Sequence, residues 1–127
     1  MDILPLSSDG KFAICSYGSG GFVIRDDKGQ EQEWQGAIFI KPDGVVPITY
    51  KKFDDMKLTE IIPLLPLKLE LLLIGCGNKM TMPDRQEQQR WQVLANGVEW
   101  MATAAAARTY QIAIDEGRLA AALLLAI

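Results

Sequence analysis

Three apolar runs punctuate the C-terminal half of the chain: LELLLIG from Leu69, GVEWMA from Gly97 and LAAALLLAI from Leu119. The intervals between them carry helix signals. In the first, Pro83 suits an opening helical position, Asp84 suits the positive end of the dipole and Gly97 follows the last turn, which predicts a helix over PDRQEQQRWQVLAN. In the second, Thr103 reads as an N-cap and Gly117 as the stop of TAAAARTYQIAIDEG. Strands are expected over Leu69 to Ile74, Val98 to Ala102 and Leu119 to Ile127. Connections of about a dozen residues or more let successive strands run parallel, with right-handed crossovers. Ile74 and Met101 should then lie side by side, and the turns leaving them should share a rim.

Upstream, the texture is that of hairpins. FAICSYG and FVIRD are short apolar runs split by GSGG, Gly18 to Gly21, and EWQGAIFIKPDGVVPI holds two runs around the turn KPDG. With the polar turn DDKGQ, residues 1–50 read as one antiparallel meander. Thr59 is expected to cap a short helix over Glu60 to Leu65, with Pro63 in its first turn and Pro66 stopping it. The predicted architecture is a single α/β domain over residues 1–127. It has a mostly parallel sheet from the C-terminal βαβαβ pattern and an N-terminal antiparallel meander or hairpin layer.

Composition removes several functions. The 127 residues include no histidine, so a Ser-His-Asp triad, a Cys-His dyad and a His-ligated metal are excluded. Cys15 and Cys76 are far apart and form no CxxC, so two free core thiols are expected, with a single disulfide as the alternative. No metal site and no cofactor is expected. The net charge is −3 and the basic residues are scattered, which leaves no footprint for nucleic acid. The start, MDILPLSSDGKF, lacks a basic region followed by an apolar one. LAAALLLAI is far short of the ~20 residues a transmembrane helix needs, and the stretch from Leu58 to Gly77 is broken by prolines and charges. A soluble, cytoplasmic protein without a transmembrane segment is expected.

The candidate site is the loop after the first parallel strand. Gly75, Cys76, Gly77 and Asn78 leave the sheet where ligands usually gather, and Thr103 opens the neighbouring helix. Main-chain N–H groups there could hold an anion, and Arg108 could lean back toward the same edge. Against this, GCGNK completes neither a dinucleotide-binding nor a P-loop pattern, and a tight turn without a ligand is the favoured reading. Catalysis by Cys76 would need a positive neighbour such as Lys79 and has no histidine partner. No catalytic residue is assigned. DRQEQQR reads as a solvated helix face, Tyr110 as a core tyrosine with a bonded hydroxyl, and Trp34 as either a partner-binding surface or a cover for the core edge. Ala104 to Ala107 allow close helix packing.

Gly75-Cys76-Gly77, Arg108-Thr109-Tyr110-Gln111 and Glu116-Gly117-Arg118 together resemble a family of small domains of unknown function. That family includes the mitochondrial respiratory complex I assembly factor 3 and its bacterial and archaeal relatives. Cys76 stands where the family usually has Thr, and Gln111 where it has Asn. The resemblance implies a three-layer α/β fold with an added hairpin layer, and a role in assembling protein complexes.

Two readings follow. The favoured one is a non-enzymatic accessory protein that binds partner proteins, including those of a membrane complex, with homo-oligomerisation left open. The alternative is a small enzyme or metabolite- or anion-binding domain using the Gly75–Asn78 loop, with Thr103 and Arg108.

Overall fold

The computed structural model describes residues 2–4, 10–66 and 68–127. Half of the N-terminal stretch MDILPLSSDGKF, which carries no signal-sequence pattern, lies outside them: Met1 and residues 5–9. The parallel core forms as its apolar runs predict. Strand β7 (Leu71–Gly75) pairs in parallel with both β8 (Gly97–Met101) and β9 (Ala120–Leu124). Ile74 lies opposite Trp100 and Gly75 opposite Met101, so the two strand ends do share a rim. The sheet is mixed, however, and not mostly parallel. Strand β5 (Ala37–Lys41) pairs antiparallel with β9 and with β6 (Gly44–Ile48), giving the order β6-β5-β9-β7-β8.

That pairing also corrects the single meander. Strands β1 (Asp2–Ile3), β2 (Ala13–Gly18), β3 (Gly21–Arg25) and β4 (Glu31–Gln35) form a separate antiparallel sheet in chain order. Between β4 and β5, Gly36 adopts φ 84°, a conformation costly for other residues, and the chain passes there from one sheet to the other. Side-chain chemistry explains the division. EQEWQ is polar and largely exposed, as an edge strand can be, whereas AIFI is apolar at every position and is buried throughout.

Alternation sorts the mixed sheet into two faces. Ile38, Ile40, Leu71, Leu73, Ala120, Ala122 and Leu124 pack in one cluster with Ile14, Phe22 and Ile24 of the other sheet and with α3 (Thr103–Asp115). Phe39, Leu72, Ile74, Trp100 and Leu123 pack in a second cluster with Leu58 and Ile61 of α1 (Leu58–Ile61) and Trp91 of α2 (Arg85–Gln92). Each fully buried Leu, Ile or Phe stabilises by about 1.5–3 kcal/mol, so a sheet covered on both faces is the main source of stability. Ala106, Ala107 and Ala113 are at most 2% exposed in the first cluster, alongside Ala120 and Ala122 of β9. Small side chains on both elements let helix and sheet approach closely.

Helix boundaries depart from expectation for local reasons. Helix α1 starts at Leu58, after Lys57, so Thr59 does not cap it. It gives way to a 3-10 turn, Ile62–Leu64, because Pro63 has no N–H to continue the α ladder. Helix α2 starts after Asp84, whose carboxylate accepts from the Glu87 N–H at 2.9 Å, and Pro83 lies outside it. The helix stops at Gln92, and the Asn96 and Gly97 N–H groups then bond the Leu69 and Glu70 carbonyls beside β7. Replacing Asp84 by alanine should cost about 1 kcal/mol in urea unfolding, with Asp84→Ser recovering most of it. Helix α3 is preceded by Ala102 as its cap, leaving Thr103 inside the first turn, and Gly117 closes its far end at φ 78°. Both cysteines are free and buried. No described helix is long and apolar enough to cross a membrane.

Candidate functional site

The rim where β7, β8 and β9 end is stitched together by main-chain groups and one hydroxyl. Cys76 N–H donates to the Met101 carbonyl at 2.8 Å, and Leu125 N–H donates to the Gly75 carbonyl at 3.0 Å. Thr103, fully buried, works in three directions. Its N–H donates to the Gly77 carbonyl at 2.9 Å, and its Oγ1 accepts from Gly77 N–H at 3.0 Å and donates to the Leu125 carbonyl at 2.8 Å. Two glycines are needed here for different reasons. Gly77 sits at φ 99°, whereas a Cβ on Gly75 would lie 2.9 Å from both Thr103 Oγ1 and Leu124 Cδ2.

The structure thus brings together Gly75, Cys76, Gly77 and Thr103. Asn78 is exposed on the outgoing loop. Arg108 is directed elsewhere: its Nη1 donates to the Tyr17 hydroxyl at 3.2 Å, on the antiparallel sheet. Tyr110 and Gln111 of the Arg-Thr-Tyr-Gln motif share that task, whereas Thr109 Oγ1 donates to the Ala105 carbonyl of its own helix at 2.8 Å. Tyr110 hydroxyl donates to the Phe12 carbonyl at 2.9 Å, and Gln111 Oε1 accepts from Ile14 N–H at 2.8 Å where β2 shifts register. Burial pushes the Tyr110 hydroxyl far above the ordinary tyrosine range, so it stays a neutral donor. The motif fastens α3 to the antiparallel sheet, and the role of Gln111 had no signal in the sequence.

Cys76 is turned inward. Its Sγ lies 3.1 Å from the Thr81 carbonyl, and burial raises its pKa, against smaller lowering effects of main-chain bonds at Thr81 and Met101. A raised pKa keeps the thiol protonated, the opposite of an activated nucleophile. This contact anchors the loop leaving β7, and the next residues, Met82, Pro83 and Asp84, form one wall of an open cleft of about 360 Å³. Phe53 and Met56, from the 3-10 turn Phe53–Asp55 and the residue after it, line it along with Trp91 and Trp100. Its charged lining is Asp54, Asp84 and Glu87. Glu87 accepts from Trp91 Nε1 at 3.0 Å and pairs with Arg90 at 3.1 Å, and Asp84 is committed to its cap. The helix start that read as a solvated face therefore supplies two carboxylates to the cleft. Phe53, Asp54 and Met56 carry no periodic signal, and only the fold brings them to Trp91 and Trp100. Trp34 is half-buried in a second cleft with Phe12 and Val45.

Two sheets, one antiparallel and one mixed, with three α-helices among the described residues, define a mixed α/β protein whose strand-end turn adjoins an aromatic cleft. The chain belongs to the family described as protein of unknown function (DUF498/DUF598), which matches residues 14–125. It is similar to the crystal structure of a Bordetella parapertussis protein at 27% identity, with a TM-score of 0.75, over 95% of this chain and 100% of that one. It is also similar to a structure described as an outer membrane protein from Bartonella henselae, at 28% identity and a TM-score of 0.70, over 94% of this chain and 98% of that one. A Mth938-like domain from Bordetella pertussis shares the fold at 23% identity and a TM-score of 0.72, over 98% of this chain and 92% of that one. No curated protein gives a significant match.

Proposed function

We propose that this protein is a non-enzymatic accessory factor, cytoplasmic in setting, that holds a segment of a partner protein in the cleft beside the strand-end rim. The observation that carries this reading is the cleft lining: Phe53, Met56, Met82, Trp91 and Trp100 converge on one open depression. Aromatic and methionine side chains are the residues enriched where proteins dock. Met80 and Met82, on the loop at its wall, are 61% and 49% exposed. Such flexible thioethers adapt to a partner's shape. Two of the three carboxylates are occupied by structural bonds, which favours binding over acid-base chemistry. In this reading the Gly75–Gly77 turn and Thr103 position the cleft wall and take no ligand themselves. The resemblance to complex-assembly factors agrees with it.

The test is photo-cross-linking from position 80, with benzoylphenylalanine in place of Met80, in native extract. A discrete partner should appear, and its yield should fall about tenfold when Met82→Glu is added, a surface change that leaves stability within about 0.5 kcal/mol. Equal yield with and without Met82→Glu sinks the reading.

A further inference from the structure

Strand β8 is an edge of the mixed sheet. Gly97 N–H bonds the Glu70 carbonyl and Met101 carbonyl accepts from Cys76 N–H, which fixes the ladder parity. Gly97, Glu99 and Met101 turn their main-chain groups toward β7, so Val98 and Trp100 turn theirs outward. Among the described residues no partner takes up those outward N–H and C=O groups. At the opposite edge of this sheet, β6 carries Pro47, which blunts pairing. Edge β8 carries no proline, and Trp100 belongs to both features: its main chain faces out of the edge and its side chain lines the cleft.

We infer that the edge of β8 accepts an extended segment of a partner protein as an added strand, with alternating basic and apolar residues. This rests on the partner-binding reading of the cleft and specifies its ligand. Main-chain bonds to Val98 and Trp100 would supply affinity, and alternate side chains specificity. The apolar residues fall on the Trp100 side, in the cleft. The basic residues fall on the opposite side of the strand, beside exposed Glu99, where an opposite-charge neighbour is favoured. A second copy of this chain is the less favoured occupant, because two-fold antiparallel pairing of β8 about Glu99 sets two carboxylates opposite each other.

The experiment uses two peptides, acetyl-KVKVKVK-amide and acetyl-EVEVEVE-amide, titrated into the intact protein by NMR. The lysine peptide should slow exchange of the Val98 and Trp100 amides about tenfold and bind about tenfold more tightly than the glutamate peptide. Glu99→Lys should reverse that order of preference. Val98→Pro, which removes one outward donor at a position an edge strand tolerates, should abolish protection at Trp100 while the remaining amide spectrum stays folded. Unchanged exchange at both amides under saturating lysine peptide overturns the inference, as does equal binding of the two peptides. A concentration-dependent dimer lost in Val98→Pro also overturns it, by giving the edge to a second copy. If Met82→Glu blocks cross-linking but Val98→Pro and Glu99→Lys do not, the cleft reading stands and the added strand fails.

Discussion

Replacing Thr103 by valine should lower the unfolding free energy by about 2–4 kcal/mol, although the two side chains are nearly the same size. The methyl that replaces the hydroxyl can neither donate to the Leu125 carbonyl nor accept from the Gly77 N–H. Both groups then lose their partner at a position that is fully buried on the threonine side. The cost of an orphaned buried polar group, about 1–3 kcal/mol each, outweighs any gain from the added methyl. Thr103→Ser separates the causes, since it keeps the hydroxyl and should lose only about 1 kcal/mol. Urea unfolding of the three proteins decides it. Equal stability of the serine and valine variants would mean that the hydroxyl does not join the strand ends.

Gly75→Ala should cost about 1–3 kcal/mol by overpacking the same junction. The new methyl would meet Thr103 Oγ1 and Leu124 Cδ2 at 2.9 Å and Thr103 Cα at 3.0 Å. A leucine methyl can yield by changing rotamer, but the Cα belongs to the first turn of α3, so relief requires moving the helix off the sheet. Chemical-shift changes should therefore extend along α3 to Tyr110 and its bond with the Phe12 carbonyl. Changes confined to residues 74–78, with stability preserved, would show that the junction has slack.

The parallel core was legible because its signals are local. The apolar runs, Gly117 and the alanine-rich helix each mark their own element, and the order of strands and helices then restricts how they connect. Tyr110 was likewise readable as a buried tyrosine from the residues on its face. Sheet membership was not legible. AIFI looks like a continuation of the hairpins before it, and only the pairings Ile38 with Leu124 and Ile40 with Ala122, more than eighty positions away, draw it into the other sheet. The strand-end loop could be placed, but its filling by Thr103 could not, because capping chemistry and a buried bridging hydroxyl begin from the same residue type. The cleft was out of reach for a related reason. Phe53 and Met56 belong to irregular chain, and their proximity to Trp91 and Trp100 is a property of tertiary packing alone.

The central place of β9 sets the order in which the protein can assemble. A nascent chain that ends before residue 120 already holds the β5–β6 hairpin and the β7–β8 pair, but nothing joins them. Both would present apolar faces to chaperones or to neighbouring chains until the keystone strand emerges. Closing the sheet late, across a large separation in sequence, makes folding slow relative to helical proteins of this length and lengthens the interval in which those faces can aggregate.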